Sequence, residues 1–122
     1  MNVFRIVAVC AVAAALAACS FQNKYEREAD QMTQAVVNND LRPVQGDIAP
    51  NVHVTRVQVA QWSDELGAQG KLLSVKERTA DCPAGTHCFD VKFEKRAYVE
   101  QMRLDENGKI VAWSFHMAPL AQ

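Results

Sequence analysis

The hydrophobic period of this chain changes once, near Lys71, from helical to extended, and that change dictates helices first and strands afterwards. Tyr25, Ala29, Met32 and Val36 recur at spacings of four, three and four. They form one apolar stripe on a helix predicted over Asn23 to Asn39, with Glu26, Arg27, Asp30, Gln31 and Gln34 on its other faces. Asn38-Asn39-Asp40 supplies the stop, and Arg42 to Asp47 reads as a loop. Ala49-Pro50-Asn51 is a second break, and Val52 to Thr55 reads as a short extended piece. A second helix follows from about Thr55 to Leu66, with Val59, Trp62 and Leu66 on one face and Gly67 as its terminator.

Beyond Lys71 the period is two. Leu73, Val75 and Glu77 alternate with Leu72, Ser74 and Lys76, and Phe89, Val91 and Phe93 alternate with Asp90, Lys92 and Glu94. Lys95-Arg96 marks a reversal, after which Tyr98, Met102 and Leu104 share a face. Asn107-Gly108 is the strongest hairpin signal in the chain. Taken as a two-residue loop, it pairs Leu104 with Val111, Met102 with Trp113 and Tyr98 with Met117, apolar against apolar down one face. A three-residue loop with a glycine bulge would shift this pairing by one. The register predicts Trp113 buried against the first helix and His116 on the opposite side of its strand.

The first eighteen residues stand apart from this pattern. Arg5 and the initial amine give a positive start, and Ile6 to Ala18 is an uncharged apolar run of thirteen residues. A membrane span needs about 20, whereas a secretory signal is shorter and ends in small residues such as Ala15, Ala17 and Ala18. The run Leu16-Ala17-Ala18-Cys19 resembles the lipobox of bacterial lipoproteins. That resemblance implies cleavage before Cys19, a diacylglycerol on its thiol and a further acyl chain such as palmitate on its amine. It also implies Ser20-directed sorting to the outer membrane, facing the periplasm. The expected organisation is a signal peptide over 1–18, a tether over 19–23, one domain over 24–118 and a tail over 119–122.

Removing eighteen residues from 122 leaves 104, enough for one small domain. Twelve basic and fourteen acidic side chains then remain. With no Lys/Arg run there is no signal for nucleic acid, and membrane attachment is expected from acyl chains rather than from charge. Cys10 leaves with the signal and Cys19 is consumed by lipid, so Cys82 and Cys88 remain as a pair across Pro83-Ala84-Gly85-Thr86-His87. In an oxidising compartment a disulfide is the natural reading. A redox-active pair and a metal site with His87 are the alternatives, although the spacing fits no common zinc pattern and no fourth ligand is evident.

Two helices followed by four antiparallel strands give an α+β domain with the helices on one side of a curved sheet. The opening helix, the small second helix and a meander ending Asp-Glu-Asn-Gly-Lys-Ile-Val-Ala-Trp-Ser-Phe resemble the nuclear transport factor two superfamily and related cystatin-like α+β rolls. The resemblance implies a pocket between the sheet and the first helix, with Trp62, Tyr98, Glu100, Trp113 and His116 as its candidates, and allows a homodimer formed through the sheet. Glu100 is the only acid aligned with an apolar face, so Glu100 beside Tyr98 is the best position for acid–base chemistry. No catalytic constellation, resident metal or cofactor is read from the residues. The expectation is a non-enzymatic module binding a small molecule or an envelope protein, with a small isomerase- or hydrolase-like enzyme as the alternative.

Overall fold

A reciprocal cap starts the first helix. The Asn23 side chain accepts from the Glu26 amide at 2.8 Å, and the Asn23 amide donates to Glu26 Oε1 at 3.1 Å. In the computed structural model, which describes residues 22–119, helix α1 then runs Lys24–Val37. The lipobox, the signal peptide and most of the tether lie outside the described residues, as does the tail beyond residue 119. Helix α1 buries Ala29, Met32, Thr33, Ala35 and Val36, and Asn39 ends it at φ 53°. The stretch expected as a loop forms a short 3-10 helix, Arg42–Asp47, opened by Pro43. Helix α2, Arg56–Gly67, starts where Thr55 Oγ1 accepts the Gln58 amide at 3.1 Å.

Four strands follow: β1 Leu72–Arg78, β2 His87–Phe93, β3 Ala97–Leu104 and β4 Ile110–Met117. They form an open antiparallel sheet in the order β1-β2-β3-β4. Helix α1 packs on β1 and β2, and α2 packs on α1. The domain is therefore α+β, with the core between helices and sheet. Ala29, Met32 and Val36 meet the sheet side chains Phe89, Val91, Phe93, Tyr98, Met102 and Phe115. The extended piece expected at Val52–Thr55 forms no strand. Instead Ile48 makes a parallel bridge to Ile110, and the Ala49 amide donates to the Ile110 carbonyl at 2.9 Å.

The β3–β4 turn corrects the expected two-residue loop. Asp105 Oδ1 accepts the amides of both Asn107 and Lys109 at 2.9 Å, and the Gly108 amide returns to the Asp105 carbonyl. The loop is thus Glu106-Asn107-Gly108, closed by the Asp105 amide on the Lys109 carbonyl at 2.8 Å. Gly108, at φ 78°, takes the left-handed position that such a loop requires. Leu104 consequently faces Ile110 rather than Val111. A second irregularity between Arg103 and Leu104 cancels the shift, so Met102 pairs with Trp113 and Tyr98 with Met117 as expected.

The placement of Trp113 also needs correcting. It is only half-buried, and it touches Phe115 edge-on at 5.5 Å. Phe115 in turn meets Trp62 of α2 at 5.3 Å, so the aromatic contact over β4 runs to the second helix rather than the first.

Of the three readings of the cysteine pair, the structure takes the disulfide. Cys82 and Cys88 are bonded, with Cα atoms 5.8 Å apart. Replacing both with Ser should lower stability by about 2 kcal/mol through lost loop closure. Phe89, fully buried at the centre of the sheet, should cost roughly 3–5 kcal/mol on truncation to Ala. Trp113→Ala should cost clearly less, because part of its ring stays in water in the native state. Urea unfolding of the three variants checks this order, and a Trp113→Ala loss matching Phe89→Ala would contradict the half-buried placement.

Candidate functional site

Alternation along β3 turns Tyr98, Glu100 and Met102 towards the helices, and all three are buried. Glu100 sits mid-sheet, between Phe89 on β2 and Phe115 on β4. A carboxyl enclosed by such neighbours must find a partner or stay neutral. Its partner comes from α1, where Thr33 Oγ1 lies 2.8 Å from Glu100 Oε2. The same hydroxyl is 2.7 Å from the Ala29 carbonyl one turn back.

A threonine hydroxyl has one hydrogen to give, and a carbonyl can only accept. The arrangement is satisfied when Glu100 is protonated. Its O–H then donates to Thr33, and Thr33 donates onward to Ala29. Burial pushes the Glu100 carboxyl up to about 8, reinforced by the Asp30 and Glu28 carboxylates. Glu100 Oε1 has no partner, which a neutral acid tolerates better than a carboxylate does.

Tyr98 does not share this network. Its hydroxyl approaches Glu65 Oε1 of α2 at 3.5 Å, and its ring meets Phe93 edge-on at 5.9 Å. Burial and the Glu65 charge both raise the Tyr98 pKa. Trp62, Tyr98, Glu100 and Trp113 thus belong to the helix-covered side of the sheet. His116 is exposed on the other side, 3.1 Å from Ser114 Oγ. Glu100 is fully buried and lines none of the depressions beside α1 and β1, α2, the β3–β4 loop, the β3–β4 pair or the disulfide loop. A neutral acid at this pKa is suited to donating a proton, but here the carboxyl is enclosed in the core with Thr33 as its partner.

Two features escaped the sequence reading. Thr33 is sixty-seven positions from Glu100, and although it lies on the buried side of α1, only its i+4 spacing from Ala29 hinted at that. The second feature is a depression of about 550 Å³ beside the β3–β4 loop, which includes Tyr25 stacked on His87 at 4.1 Å. Glu28 lines it as well, its pKa raised by burial and by Asp47 and lowered by Lys109. Among the described residues no group of three or more His, Cys, Asp or Glu side chains is placed to hold a metal ion. None of the described helices is long and apolar enough to cross a membrane. No protein-family model, curated protein or solved structure matches the chain.

The Glu100 proton makes stability depend on pH with a definite sign. The unfolded carboxyl ionises near its ordinary value of 4.5, whereas the native one holds its proton to about 8. This contribution is therefore fully present below pH 4.5 and is lost as pH rises towards 8, at up to about 1.4 kcal/mol per pH unit. Glu100→Gln keeps the shape and a hydrogen to donate but cannot ionise. Urea unfolding from pH 5 to pH 8 should show a falling stability in the native protein and a flatter profile in the variant. Equal slopes would show that Glu100 is ionised in the fold.

Proposed function

We propose that this protein is a lipid-anchored domain of the bacterial envelope, held at the outer membrane and facing the periplasm, and that it works by binding rather than by catalysis. The enclosure of Glu100 carries the second half of this reading. The acid best aligned for chemistry spends its proton on Thr33 and is fully buried inside the core. A binding module needs only a stable platform and an exposed surface, and the helix–sheet core supplies the first. The lipobox-like Leu16-Ala17-Ala18-Cys19 and the bonded Cys82–Cys88 pair support the location, since a structural disulfide suits an oxidising compartment.

The same architecture favours a half-open α+β roll of the nuclear transport factor two or cystatin-like kind. Two helices lie on one face of an antiparallel four-stranded sheet, in chain order. The expected ligand is a small molecule or an envelope protein.

The anchor is tested by the intact mass of the protein extracted from membranes. The mass should correspond to a chain beginning at Cys19 and carrying acyl groups. Cys19→Ser should abolish the acylation and either release soluble protein or leave the precursor uncleaved. An unmodified mass for the native protein would remove the lipoprotein assignment.

A further inference from the structure

The sheet face turned away from the helices collects cations that the sequence disperses. Strand pairing sets Lys76 beside Asp90, Lys92 beside Ser74, Arg78 beside Cys88 and Arg103 beside Ala112. These positions have the opposite parity to the buried Val75, Val91, Tyr98, Glu100 and Met102. Lys76, Lys92 and Arg103 are exposed. Arg78 is held at 3.3 Å by Asp90, the only carboxylate on the strand positions of this face. Four cations therefore face one carboxylate. Ala97, Val99 and Ala112 lie among them, together with Gln101, Ser114 and the exposed His116. The Cys82–Cys88 loop folds over this side, leaving Cys88 only 1% exposed despite its outward parity. The helical side is the reverse, with seven acidic and four basic side chains over residues 24–67.

We propose that this face rests on the surface of a bilayer containing anionic phospholipid, an assignment that builds on the anchor reading above. Charge complementarity selects the occupant. A negative surface matches a face with an excess of exposed cations, and each Lys or Arg brought to such a surface strengthens the contact roughly five-fold. The anchor adds proximity. From Cys19 to Asn23 the chain reaches at most about 14 Å when extended, so the domain stays near the headgroups and the charged face governs which side turns down. An acidic helical layer facing the same membrane would be repelled.

The test reconstitutes the protein with its native lipid into vesicles of phosphatidylcholine, alone or with about one-third phosphatidylglycerol, and reads lysine acetylation rates by mass spectrometry. In the anionic vesicles Lys76 and Lys92 should react at least about five-fold more slowly than in the neutral ones. Protection should disappear at about 0.5 M salt, where the screening length is below ~5 Å. Arg103→Glu should raise the rates at Lys76 and Lys92 in anionic vesicles only. Equal rates in both vesicles would overturn the proposal. Protection in neutral vesicles that grows with protein concentration would also overturn it, by assigning the face to a second copy. The mass of the N-terminal peptide separates the two ideas: protection without acyl chains on Cys19 keeps the face and removes the anchor.

Discussion

One proton, held between a helix and the centre of a sheet, sets the terms on which this fold is built. Glu100 would be among the most costly residues in the core if ionised, and Thr33 could not serve it and Ala29 with a single hydrogen. Protonation resolves both problems together. It joins α1 to β3 by a directional contact within a largely apolar interface, and the Glu77 amide of β1 donates to Glu26 Oε2 at 2.8 Å as a second one. Apolar packing alone allows a helix to slide or rotate by small amounts, whereas a buried hydrogen-bonded chain fixes its position. The Thr33–Glu100 and Glu26–Glu77 contacts therefore fix where α1 sits, while Ala29, Met32 and Val36 provide most of its attraction to the sheet.

Much of the architecture was legible because it is local. The change of period at Lys71, the alternation through Phe89, Val91 and Phe93, and the Thr55 start of the second helix are all written within a few residues. Glu100 was legible as an inward acid from its parity with Tyr98 and Met102. Its partner was not, because helix-on-sheet packing joins positions far apart in sequence. Trp113 was placed too deeply because β4 is an edge strand, where inward parity does not ensure burial. The Asn-Gly pair identified the hairpin but not its loop, since the deciding group is the Asp105 carboxylate two residues earlier.

The basic face shows the converse limit. A search for runs of Lys and Arg finds nothing, because strands place like-facing residues two apart and neighbouring strands lie far apart in the chain. Lys76, Arg78 and Lys92 come together only through the pairing of β1 with β2, and Arg103 joins the same face from the far end of β3. The sheet thus separates two jobs by parity: inward positions build the core, and outward positions are free to carry charge without disturbing it. A single covered face is what permits this division.

The paired irregularities of the last hairpin have a different consequence. The glycine loop offsets β4 by one residue, and the shift at Arg103 and Leu104 takes the offset back before Met102 meets Trp113. The slack sits in a short segment between the turn and the aromatic residues. Changes of one residue at the tip can be absorbed there by gaining or losing the bulge, while Phe115 keeps its seat opposite Glu100. The tip of this hairpin is therefore decoupled from the aromatic residues further along β4 but not from Ile110, which is fully buried and bridged to Ile48.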